Sequence, residues 1–147
     1  MPSVVVRGAV LVAALAWAAF AFWLFSFSFS DGFFRYSLAS RLPPFLCAFG
    51  AALVIPWSGV RQWLRARRRE ASRLRAWFVH AVTAGLSLAP MMLVAALLAR
   101  VPGPWKLSAD DAMGAGISFL MLAAIAIVSA LVLAVALALS RTAGKTP

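Results

Sequence analysis

Four stretches without a single formal charge constrain this chain more than any motif in it. Arg7 and Asp31 bracket 23 such residues, Arg41 and Arg61 bracket 19, Arg75 and Arg100 bracket 24, and Asp111 and Arg141 bracket 29. Each meets the roughly 17–25 residues that a helix needs to cross a hydrocarbon core of about 30 Å. Lipid offers the backbone no hydrogen bonds, so a spanning segment satisfies its own amides by becoming a helix. A β-barrel would need alternating segments of about 10 residues, and only residues 25–30 (FSFSFS) alternate in that way.

Composition closes the other routes. The chain is 64% apolar and 12% charged, with a mean hydropathy of +0.93. A soluble domain carries about 45–50% apolar and about 25% charged residues. Half the usual charge cannot cover a small soluble protein, and disordered chains are poor in apolar residues. The expected fold is an all-α membrane protein, a four-transmembrane-helix bundle forming one integral domain over 1–147. Its spans are expected at about 8–30, 43–60, 76–99 and 112–140, with an Arg-rich loop over 61–75.

Local signals sharpen this outline. Ala16-Trp17-Ala18 resembles a signal-peptidase site, but the apolar run continues past it and the preceding charge is a single Arg7, so span one is expected to stay. Asp31-Gly32 reads as a turn. Pro43-Pro44 is expected in the first turn of span two, where a missing N–H costs little. Residues 56–59 (PWSG) are expected to end that span. Pro90 removes a ladder bond within span three and is expected to bend it. Ser108 with Asp110 and Asp111 reads as the N-cap of span four, its carboxylates favourably placed at the helix dipole.

The arginines set the expected orientation. Ten of the 14 basic residues lie at Arg7, in the 61–75 loop, and at Arg141 and Lys145. The other side holds Arg35, Arg41, Arg100 and Lys106 with Asp31, Asp110 and Asp111. The positive-inside bias then places both termini and the loop in the cytoplasm. Twelve Arg against two Lys, with abundant Ala, fits a GC-rich bacterial genome. The expected location is therefore the bacterial cytoplasmic (inner) membrane, crossed several times.

Three features carry candidate chemistry. His80, Thr83 and Ser87 fall at helical spacing on one face of span three, a polar track in which the histidine could answer to proton concentration. The structural alternative, which is favoured, is that this face packs inside the bundle, with the hydroxyls on backbone carbonyls. Gly114, Ser118, Leu122, Ala126, Ala130, Ala134 and Ala138 recur at i+4 along span four, a mostly small-residue ridge that lets a neighbouring helix approach. Arg61, Arg65, Arg67, Arg68, Arg69, Arg73 and Arg75 put seven arginines in 15 residues. They set topology and could also meet anionic lipid headgroups or a docking partner. A nucleic-acid site is not expected, because 15 residues provide no folded reading surface.

No reaction-bearing motif appears. One Cys (Cys47), one His and four carboxylates supply no disulfide, redox pair or metal cluster. No cofactor is expected. Asp, Glu, Lys and Arg are absent from the interior of every span, where proton relays and ion-coupled carriers place them. Enzymatic activity is not expected. The leading expectation is a non-catalytic accessory or assembly subunit of a larger inner-membrane complex, partnered by other membrane subunits and lipids. The alternatives are a small homo-oligomeric channel or carrier lined by the span-three track, or an anionic-lipid-binding membrane protein.

Overall fold

A computed structural model describes residues 4–28 and 38–140. Its four helices are α1 (Val4–Ser28), α2 (Leu38–Arg67), α3 (Arg73–Leu98) and α4 (Ala109–Leu139). All four are long and apolar enough to cross a membrane, and no strand occurs among the described residues. The chain is a multi-pass membrane protein. The Asp31-Gly32 turn and the charges of Arg35, Arg141 and Lys145 lie outside the described residues, as does the side chain of Arg7.

Helices α2, α3 and α4 pack closely on one another, while α1 leans on α2 and more lightly on α4. The apolar core between them is built from Phe25, Phe45, Ala48, Ala52, Ile55, Ala84, Met91 and Leu122. Alanines let backbones approach, and larger side chains from the facing helix fill the space. An aromatic group joins α1 to α2: Phe22 meets Phe45 edge-on at 5.5 Å between centroids and Phe49 at 6.0 Å. Edge-to-face geometry suits the ring quadrupoles.

Helix α2 departs most from its sequence reading. It begins five residues before Pro43 and continues through Pro56, Ser58 and Gly59 to Arg67. The sequence places the end of the span at the first charge, yet Arg, Gln, Leu and Ala are good helix formers outside the lipid as well. The break expected at Pro56 is repaired from a neighbouring helix. Pro56 has no N–H to offer the carbonyl of Ala52, four residues back. The indole Nε1–H of Trp17 in α1 donates to that same oxygen at 2.9 Å.

This contact predicts a coupled result. Trp17→Phe should cost about 1–2 kcal/mol, the penalty for leaving a buried carbonyl unmet. In a Pro56→Ala background the alanine N–H can close the ladder, so the same substitution should cost well under half as much. Thermal unfolding of the four proteins in one detergent checks the cycle, and equal costs in both backgrounds would refute the pairing.

The expected 61–75 loop is largely helical. Arg61, Arg65 and Arg67 extend α2, Arg73 and Arg75 open α3, and a short turn joins them. Glu70 N–H bonds back to the Arg65 carbonyl at 3.0 Å, with Arg69 in the left-handed region at φ 61°. This is a Schellman-type ending in which an arginine occupies the position glycine usually takes. Ser72 then caps α3, accepting from the Arg75 N–H at 3.3 Å. At the opposite end of the bundle, Gly103 (φ +88°) turns the α3–α4 connection and Leu107 buries itself beneath it.

Candidate functional site

Two polar clusters sit inside this apolar bundle, one towards each end. At the end away from the arginine-rich turn, Arg41 of α2 and Asp111 of α4 form an ion pair. Nε and Oδ1 are 2.6 Å apart, and both side chains are about 95% buried. Ser108 completes the cluster. Its hydroxyl donates to Asp111 Oδ2 at 2.7 Å and accepts from the Asp111 N–H at 3.1 Å. The N-cap expected at Ser108 is therefore present. Asp111 does more than favour the helix dipole, however, since its second oxygen holds a buried guanidinium from another helix. Asp110, next to it, is exposed.

The second cluster lies in the half of the bundle that carries the arginines. His80 has no exposed surface. Its Nδ1 is 2.6 Å from Ser58 Oγ of α2, and its Nε2 is 3.1 Å from Ser129 Oγ of α4. Ser58 already donates its one hydroxyl proton to the Ile55 carbonyl at 2.9 Å. It can therefore only accept from the ring, which places the proton of a neutral His80 on Nδ1. Nε2 then carries the lone pair and accepts from Ser129. Three helices meet in two directional bonds at one ring. Gly59 packs directly against it: a Cβ there would lie in van der Waals contact, 3.4 Å from both His80 Cε1 and Ser129 Oγ.

These positions match the favoured packing alternative for α3 rather than a polar track. His80 lies on the buried seam of α3 with Ala76, Ala84 and Met91. Thr83 and Ser87 flank that seam, half-buried. Their hydroxyls donate to the Val79 and Ala84 carbonyls of their own helix, both at 2.7 Å. Neither reaches the Leu86 carbonyl that Pro90 leaves open. The three residues are thus not a continuous polar surface.

The ridge on α4 also divides. Gly114, Ser118 and Leu122 are buried, Ala126 and Ala130 are half-buried, and Ala134 and Ala138 are exposed. An i+4 line advances about 40° per step on a helix of 3.6 residues per turn, so it winds out of the core. The buried seam instead follows Asp111, Gly114, Ala115, Ser118, Leu122, Leu133 and Leu137. The Ser118 hydroxyl is fully buried and has no hydrogen-bond partner among the described residues.

Seven arginines remain at the α2–α3 end. Arg61, Arg65, Arg67, Arg68, Arg69 and Arg75 are exposed and Arg73 is half-buried. Arg67 lies over the Trp63 ring, 5.3 Å from its centroid, a cation–π contact. The Arg68–Glu70 pair, 3.9 Å apart and exposed, adds little in water. Among the described residues no group of three or more His, Cys, Asp or Glu is placed to hold a metal ion.

Sequence reading missed Ser58 and Ser129 as partners and treated Arg41 and Asp111 as boundary markers. A signal existed for Ser129, the one polar residue between Ser118 and Ser140. Another lay in the opposite charges of Arg41 and Asp111, which end their spans on the same side of the membrane. No family model matches the chain, and no curated protein or solved structure does either.

Proposed function

We propose that the protein is a non-catalytic accessory or assembly subunit of a larger bacterial inner-membrane complex, with both termini and the arginine cluster in the cytoplasm. The observation that carries this reading is the state of α1. Residues 8–16 are exposed on every face, and Val10, Leu11, Val12 and Leu15 keep 62–66% of their surface free. The same half-helix is rich in small residues: Gly8, Ala9, Ala13, Ala14 and Ala16. In lipid, small residues gain most from close helix packing. Among the described residues α1 makes no such packing over this half, while its other half is anchored by Trp17, Phe22 and Phe25. A second membrane helix seated along residues 8–16 would use what the bundle leaves unused.

The polar interior supports a scaffold reading over a conducting one. His80 is sealed between two serines, Thr83 and Ser87 are bonded to their own helix, and the Arg41–Asp111 pair is closed on both carboxylate oxygens. Groups bonded in this way hold helices in register.

The test is affinity recovery from native membranes. Wild type should bring down a different membrane protein in stoichiometric amount. Ala13→Trp places a bulky ring on the free face, touches nothing in the fold and should leave thermal stability within about 0.5 kcal/mol. It should reduce the partner at least several-fold. Unchanged recovery with Ala13→Trp would remove α1 as the docking helix.

A further inference from the structure

Where the 8–16 half of α1 stands away from α2 and α4, an apolar trough opens between those two helices. Two adjoining clefts of about 240 and 350 Å³ form it, sharing Pro56, Ser129 and Val132. Along α4 it runs from Ala124 to Ala136, which at 1.5 Å per residue is about 18 Å. One leaflet of the hydrocarbon core is about 15 Å deep, half of about 30 Å. The trough ends at Trp63, and the Arg67 guanidinium lies over that ring. On the opposite flank of α4 a further cleft of about 320 Å³ repeats the chemistry, with Trp77 in its wall and Arg73 at its end. In each case the arginine is four residues from the tryptophan, on the side of the α2–α3 turn.

We infer that these clefts seat two anionic phospholipids of the leaflet facing the arginines. An acyl chain lies in each cleft, and Arg67 or Arg73 holds the headgroup phosphate. The pairing follows from charge and shape. The trough is walled by apolar side chains over one leaflet's depth, the Arg73 cleft spans only Ala134 to Ala138 of α4, and in both a cation that recognises phosphate stands at the end where headgroups lie. A membrane helix, about 10 Å across with its side chains, is too wide for clefts of this volume, whereas a single hydrocarbon chain fits. The tryptophans suit the same position, with apolar rings and a polar edge at headgroup level. Trp77 Nε1–H already donates to the Ala130 carbonyl at 3.1 Å, so its ring is fixed as a wall.

The inference does not depend on the partner docked at α1, and its test reads lipid rather than protein. The full chain is placed in nanodiscs of phosphatidylglycerol or phosphatidylcholine, transferred to detergent, and examined by native mass spectrometry. The wild type should retain up to two phosphatidylglycerols and markedly less phosphatidylcholine. Arg67→Gln and Arg73→Gln, both at the helix ends, should each weaken one adduct about five-fold. That factor corresponds to the ~1 kcal/mol that one basic residue contributes at an anionic surface. Val132→Trp fills the trough from a position 62% exposed and should leave one adduct. Equal retention of the neutral lipid, or two full adducts in Val132→Trp, would overturn the assignment. So would a photo-crosslinker at Val132 that traps a protein instead of lipid in native membranes.

Discussion

Asp111→Asn should destabilise the bundle by about 3–5 kcal/mol, the usual cost of leaving a buried charge without its counter-charge. Asparagine keeps the shape of the side chain and can still bond Ser108, so the loss isolates the charge facing Arg41. The pair is shut away from water, with both side chains about 95% buried, so solvent cannot rescue the guanidinium. The decisive companion is Arg41→Met with Asp111→Leu. Replacing both ions by apolar groups of similar volume is often neutral or stabilising. The double variant should therefore recover most of the loss. Thermal unfolding in a mild detergent measures both. An Asp111→Asn protein within 1 kcal/mol of wild type would mean that the pair holds nothing together.

The second large effect is expected at His80. Truncation to alanine empties a fully enclosed site where α2, α3 and α4 meet, and enclosed large-to-small changes cost about 2–5 kcal/mol when neighbours cannot collapse. Collapse is hindered here because Ser58 is tied to the Ile55 carbonyl and Gly59 brings no side chain to move in. Ser129→Ala, by contrast, removes one hydrogen bond and should cost about 1 kcal/mol. In the His80→Ala background it should cost almost nothing, since its partner is already gone. A Ser129→Ala cost that is the same in both backgrounds would contradict the observed bond.

The four-helix outline was legible because lipid imposes length and apolarity directly on the sequence. Charge-free stretches measure membrane depth, though, and not helix ends. Arg61, Arg65 and Arg67 sit beyond the apolar stretch yet continue α2, because leaving the lipid does not unwind a helix of good helix formers. Pro56 illustrates a second limit. Its open carbonyl is closed by Trp17, 35 residues away in sequence, and no local pattern announces that bond. The same holds for His80, whose two partners come from two other helices. Periodicity places a residue on a face of its own helix; it does not say which face of which neighbour meets it. The α4 ridge divides for a simpler reason: an i+4 line winds around the helix, and only its first half shares the bundle's buried seam.

On the proposed reading the interior clusters hold the bundle and the exposed half of α1 engages a partner, so the two roles are separable. Native mass spectrometry from native-lipid nanodiscs reads this directly, as the ratio of partner to folded subunit in wild type, His80→Ala and Ala13→Trp. The expected result is a stoichiometric partner in wild type, the same ratio in whatever fraction of His80→Ala remains folded, and a several-fold lower ratio in Ala13→Trp. A wild-type protein found alone or only with copies of itself would contradict the subunit assignment, as would a ratio that falls in His80→Ala and holds in Ala13→Trp.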